Sequence, residues 1–251
     1  MANAALLSGG GCGQEDPNSA PRNPGALGTS QTSTGAAGAP APGAAPIDDF
    51  YPLADGAMWV YSHTGGSAAW TEEVSVRAID FGGRAAFEMS DTPGPSGIST
   101  VQVVVLDGPR ALRVHKQELD NTGLIAAMEY APGFPRYDEG WHSLGQGGSM
   151  TFDYNRVEHD AAGALVSDEV RSHSYQLMSV TESISVPAGT FDDCFQVRRE
   201  RLRVAGTTAG SGDIKTFWFC AGVGKVRERE ELSGKLEELV SCSLPTGPCA
   251  R

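Results

Sequence analysis

From Ala57 onward, apolar and polar residues alternate with a period of two in short runs, and clusters of Gly, Pro, Asn and Asp separate the runs. The run 57–62 (Ala-Met-Trp-Val-Tyr-Ser) is rich in aromatics and lies between Gly56 and Gly65-Gly66. In residues 70–79, Val74, Val76 and Ala78 share one face while Glu73, Ser75 and Arg77 share the other. Phe81-Gly82-Gly83-Arg84 predicts a hairpin turn into a strand over 85–90. Further runs cover 101–106, 111–118 and 124–130, with turn signals at Asp107-Gly108-Pro109 and Asn121-Thr122-Gly123. After an irregular stretch, 131–148, Met150, Phe152 and Tyr154 alternate with Thr151, Asp153 and Asn155. A long run then passes through Val166, Val170 and Tyr175 to Val186, and 195–204, 214–220, 223–231 and 236–242 complete the series. No segment keeps a helical period with caps. The pattern predicts an all-β domain of about 10–12 strands, an antiparallel barrel, half-barrel or sandwich.

The first 47 residues read differently. Leu6-Leu7-Ser8-Gly9-Gly10-Gly11-Cys12 is a short apolar run, small residues and a cysteine. Behind it, residues 13–47 are almost wholly Gly, Ala, Pro, Ser, Thr, Asn and Gln. Such a segment buries too little surface to offset the entropy of ordering it, which predicts a disordered tether. The arrangement resembles the start of a bacterial lipoprotein, with Cys12 as the acylated residue. The match departs from the usual signal: residues 1–7 carry no Lys or Arg, and Gly9 stands where the lipobox expects Leu. The expected organisation is an atypical signal over 1–12, a linker over 13–47 and a β-rich domain over 48–251. The implied place is the bacterial cell envelope, held by a lipid or secreted to the periplasm or exterior.

Charge and cysteines refine this picture. The net charge is −12, and the linker holds only Glu15, Asp16 and Arg22. The acidic body is therefore a poor partner for phosphate backbones, which argues against nucleic acid. No run approaches the roughly twenty apolar residues of a membrane helix. With Cys12 assigned to a lipid, four cysteines remain: Cys194, Cys220, Cys242 and Cys249. They are read as disulfide candidates of an oxidising compartment, since no CxxC or Cys-His spacing indicates a metal. Cys242 and Cys249 bracket a Pro- and Gly-containing loop, and Cys194 and Cys220 each sit in a strand-like run. Spacing alone leaves three pairings open.

Candidate chemistry is sparse. His63, His115, His142, His159 and His173 are scattered without metal-ligand spacing. There is no nucleophile elbow, HExxH, P-loop or dinucleotide fingerprint, so no catalytic residue, metal or cofactor is assigned. Arg198-Arg199-Glu200-Arg201-Leu202-Arg203 is the one basic cluster, and it is expected to pair with Glu228–Glu231 on a neighbouring strand. Residues 130–141 pack four aromatics and two prolines into the irregular stretch. Phe134, Tyr137 and Trp141 are expected there, partly exposed, as contacts for a lipid or other apolar ligand, or for an envelope protein. The reading that results is a non-catalytic binding or structural domain. Its alternative is an envelope hydrolase using carboxylates or His142 in the 130–148 loop.

Three motifs add a family resemblance: 51–61 (YPLADGAMWVY), 186–197 (VPAGTFDDCFQV) and 218–226 (WFCAGVGKV). Together they are similar to a loosely defined set of bacterial secreted proteins and lipoproteins related to the DUF3108-like group, with Ala221 where that pattern has proline. The resemblance implies a curved, barrel-like sheet and carries no activity. Physically, Trp59 and Tyr61 share a core-facing side, Pro187-Ala188-Gly189 makes a corner that turns Phe191 inward, and Gly222-Val223-Gly224 bends one strand into the next.

Overall fold

The structure, a computed structural model, describes residues 50–66, 68–202 and 213–249. Twelve strands follow one another around a closed antiparallel barrel. They are β1 Met58–Thr64, β2 Trp70–Phe81, β3 Arg84–Asp91, β4 Ser99–Asp107, β5 Arg110–Asp120 and β6 Gly123–Asp138. The second half comprises β7 Ser149–Asp160, β8 Leu165–Val186, β9 Gly189–Leu202, β10 Ile214–Cys220, β11 Gly224–Glu230 and β12 Leu236–Leu244. Each strand pairs with its successor, and β1 also pairs with β12 over Met58–Thr64, which closes the sheet and protects its two edges. A two-residue β13, Gly247–Pro248, folds back on β12. Of the three expected forms, the chain takes the barrel. Cys12, the expected signal and the linker 13–47 lie outside the described residues.

Turn chemistry explains the meander. Phe81 pairs with Arg84 across Gly82-Gly83, whose φ angles of +62° and +80° match the twist of the flanking strands in a way that side chains with a Cβ rarely adopt. Gly108-Pro109 and Pro187-Ala188 make equally short connections, since Asp107 pairs with Arg110 and Val186 with Gly189.

The stretch 131–148 is more regular than its composition suggests. Residues through Asp138 continue β6, and Glu139–Leu144 forms a short 3-10 helix capped by the Asp138 carboxylate, which accepts from Gly140 N. Pro132 is tolerated because pairing with β7 ends at Ala131–Asn155. Beyond that point β6 keeps only its β5 neighbour, and a missing N–H on the open side breaks no ladder. The register shift between Arg113 and His115 absorbs the extra residues.

Alternation sends Trp59, Tyr61, Val76, Tyr175, Leu177, Phe195, Val197 and Phe219 into one continuous buried core. Val103 and Val105 lie on the other face of β4, in a small cluster with Ala86 and Leu112. Closure rests on more than the β1–β12 ladder. Trp59 Nε1 donates to the Val223 carbonyl at 2.8 Å, and Tyr61 Oη donates to the Lys225 carbonyl at 3.0 Å. The first and third sequence motifs therefore bond directly to each other, 164 residues apart in both cases. Gly224 completes the joint: its φ is +94°, and a Cβ there would come within 3.3 Å of Pro52 Cδ.

Trp59→Phe removes that donor from a buried carbonyl and leaves a void in the core. It should lower stability by about 2 kcal/mol or more, measured by urea unfolding, with the strand content of the folded state unchanged.

Candidate functional site

A twelve-stranded barrel is wider than one whose interior side chains alone can fill. Here the lumen retains a cavity of about 250 Å³. Every barrel strand except β7 contributes to its lining, together with Tyr51–Leu53 and Trp141. The period of two is visible in the wall, where Trp59 and Tyr61, Glu72 and Val74, Met89 and Asp91, and Thr100 and Gln102 each project inward from one strand. Half of the wall is aromatic or aliphatic. Most of the rest is charged, with Thr100, Gln102 and Gly224 the exceptions, and the main charges fall into two groups.

The first group centres on Lys225. Its ammonium lies 2.9 Å from Glu228 Oε2 and 2.6 Å from Glu237 Oε1, and 5.0 Å from the centre of the Tyr61 ring. Lys215 adds a second bond to Glu228 at 2.7 Å. Burial by itself would lower the Lys225 pKa, but the two carboxylates outweigh it and hold the ammonium charged. Burial likewise favours protonation of Glu228, yet Lys225 and Lys215 bring its pKa well below the usual carboxylate range. Glu237 moves the other way, raised by burial that Lys225 only partly offsets and by the charge of Glu228. His63, Glu72 and Glu237 also bring one ligand atom each within 4.8 Å of one another. The Lys225 ammonium already supplies the cation at Glu237, so this trio is an ion-pair cluster.

The second group is built from arginines. Arg113 stands 4.7 Å from the centre of the Phe134 ring and 4.9 Å from that of Tyr130. Arg199 lies 5.3 Å from the rings of Phe134 and Phe217 and is bonded to Asp213 at 3.0 Å. Arg136 lines the same cavity beside Tyr51. The Nε atoms of all three are buried without a hydrogen-bond partner. Among the described residues, no carboxylate forms an ion pair with Arg113 or Arg136; the polar partner of Arg113 is Gln102 Oε1 at 3.4 Å. Burial, reinforced by Arg136 and Arg199, lowers the Arg113 pKa to about 10. His173 packs in the same region, stacked on Tyr154 and edge-on to Phe134. Burial and then Arg199, with Arg201 and Arg171, push its pKa down to about 3, so the imidazole is neutral.

The aromatic residues singled out from the sequence are all buried, against the expectation of partial exposure: Phe134 is 4% exposed, Tyr137 0% and Trp141 2%. The continuation of β6 and the 3-10 helix turn them into the barrel. Phe134 and Trp141 line the cavity, while Tyr137 packs behind them against Tyr51, Trp141 and Phe219. His142 is not part of the cavity wall and packs against Phe195 and Phe50, with ring centres at 4.0 and 4.6 Å. Cys194 is bonded to Cys220, its direct neighbour in the β9–β10 register, and Cys242 to Cys249. The basic run splits by alternation. β10 separates the basic run on β9 from β11, so the expected neighbouring-strand pairing does not form. Arg198 pairs with Glu200 and reaches only Glu231 of Glu228–Glu231, whereas Arg199 follows Phe195 and Val197 inward. That inward pattern is the signal that marks Arg199. Arg113 and Arg136 carry no comparable mark, because a β-bulge precedes each on its own or the facing strand.

No family model and no curated protein matches the chain. Two solved structures are similar to it. One is a protein of Bacteroides fragilis described as exported and as having a YMCC-like fold, 12% identical, with a TM-score of 0.46 over 78% of this chain and all of that one. The other is a protein of Parabacteroides distasonis described as a lipoprotein, 15% identical, with a TM-score of 0.47 over 78% of this chain and 99% of that one.

The neutral state of His173 carries a pH signature. Its folded pKa of about 3 lies below the ordinary 6.5, so the unfolded chain binds the extra proton first. The stability this group contributes is full above pH 6.5 and declines as pH falls toward 3, by about 3 kcal/mol between pH 6.5 and 4. In urea titrations across that range, His173→Gln should flatten the acid-side loss relative to the parent chain.

Proposed function

We propose that this protein is a non-catalytic β-barrel of the bacterial cell envelope that holds a small ligand in its lumen. The observation that carries the reading is the cavity itself, enclosed by eleven strands and walled by aromatic rings with a few charged groups among them. Ligand sites take this form, an apolar pocket with a small number of placed polar groups. The hydrolase alternative fits less well. The lumenal pair Glu228 and Glu237 is already bonded through Lys225, and the His142 ring packs against Phe50 and Phe195 outside the cavity wall. The charged wall also changes the expected ligand, because a purely apolar molecule would leave those groups without partners.

The envelope location is supported by two disulfides, by the Cys12 sequence and by the linker composition. The three motifs support a relationship to the DUF3108-like group, with the barrel joint between Trp59 and Val223 as its structural content. Acylation at Cys12 is directly testable. Expression of the full chain in a Gram-negative host fed radiolabelled palmitate should label the wild type and leave Cys12→Ser unlabelled. Equal labelling of both, or of neither, would remove the anchor.

Lumen binding is tested with N-phenylnaphthylamine, an uncharged dye that accepts energy from tryptophan. Trp59 and Trp141 line the cavity, so dye bound there should quench their emission at one equivalent per chain. Trp141→Phe should reduce the transfer without abolishing binding. Absence of transfer, with this dye and with its sulfonated form alike, would overturn the reading.

A further inference from the structure

The charges of the lumen are not evenly paired. At the Lys225 cluster, two carboxylates face two ammonium groups. Asp91 is taken up by Thr100, and Lys116 by Glu118. Glu72 approaches His63 at 3.3 Å. What remains are Arg113, Arg136 and Arg199, whose only carboxylate ion pair, among the described residues, is the bond from Arg199 to Asp213. Of the three, Arg136 is held charged against burial by Tyr51, Glu228 and Glu237, and Arg113 has no such support from a carboxylate. Arg199 is itself 7% exposed.

Buried cations without counter-charges are costly, and the ordinary remedies are a paired anion or a shifted pKa. Guanidinium cannot follow the second route at neutral pH, since even the lowered Arg113 pKa stays near 10. Cation–π contact with Phe134 supplies a partial remedy for Arg113 and Arg199. It leaves the Nε–H of all three guanidinium groups without a hydrogen-bond partner. Those groups form a rigid fork that matches an oxyanion held by two parallel hydrogen bonds.

We propose that Arg113, Arg136 and Arg199 form the receptor for the head group of an organic anion, whose compact apolar body lies against the aromatic wall of the lumen. This rests on the reading of the lumen as a ligand site and names the class of ligand. The head group is an oxyanion, a carboxylate or its phosphate or sulfonate counterpart. Size limits the body: a cavity of roughly 150 Å³ holds benzene, and the 250 Å³ present here accommodates one or two rings or a short acyl chain. Phe134 fixes the geometry by touching both Arg113 and Arg199, so that two guanidinium groups are presented to one ligand.

The test compares two dyes with one body. Anilinonaphthalene sulfonate is N-phenylnaphthylamine with a sulfonate added. Both are titrated into the full chain, with transfer from lumenal tryptophan as the readout. The sulfonate should bind at least about tenfold more tightly, a difference of about 1.4 kcal/mol. Arg113→Gln and Arg199→Gln should each remove most of that advantage, read in each variant as the ratio of its affinities for the two dyes. Equal affinity of the wild type for both dyes would overturn the anion site while leaving the lumen reading in place. A sulfonate preference that survives both substitutions in folded protein would overturn the assignment to these arginines. Binding of neither dye would remove the lumen reading, and the anion site with it. The wild-type comparison needs no variant to fold.

Discussion

The hydrogen bonds from Trp59 to Val223 and from Tyr61 to Lys225 join the first strand to the turn and strand that precede the last one. A twelve-stranded meander has no reason to close unless its two ends recognise each other. The β1–β12 ladder supplies backbone pairing, which any two edge strands could offer. The indole and the phenol supply the selectivity, because each carries a large apolar body into the core and one polar atom that must find an acceptor. Gly224 lets the two segments approach, since a Cβ there would come within 3.3 Å of Pro52 Cδ. Without this joint, the inward charges of β2, β11 and β12 would face water across an open sheet.

Closure makes the lumen a low-dielectric space and so decides the fate of every charge that points into it. On the side of β1, β2, β11 and β12, carboxylates and ammonium groups are close enough to satisfy one another. Glu228 sits directly opposite Glu237 in the ladder, an arrangement that would repel if Lys225 did not lie between them. On the side of β5, β6, β8 and β9, cations predominate and rings act as their neighbours. His173 records that environment by remaining neutral. An acidic protein, with a net charge of −12, thus carries a cationic interior region. The arginines of that region and the net charge of the chain have opposite signs.

Much of the barrel was legible in the sequence. The alternation at 70–79 and 150–154, the Gly82-Gly83 turn and the Pro187-Ala188-Gly189 corner each correspond to an observed strand or turn at nearly the expected residues. The stretch 131–148 misled because Pro132 and Gly133 ordinarily end strands. Here they fall where β6 has already parted from β7, so the local signal and the tertiary context diverge. For the same reason Phe134, Tyr137 and Trp141, read as ligand-contacting loop aromatics, became interior wall and core.

The sequence by itself determined the strand class, the approximate strand count, the cysteines available for pairing and the aromatic anchors at 59 and 61. These are local properties, set by a two-residue period, by turn residues and by composition. Tertiary structure alone decided that the sheet closes, which face is lumen, and which charges meet across it. Arg113 and Arg136 lie on the paired strands β5 and β6 and Arg199 on the distant β9, and bulges shift the register along these strands. Alternation along one strand cannot reveal which residues stand opposite on another. That depends on the stagger of the whole closed sheet, a property that no single segment of the chain encodes.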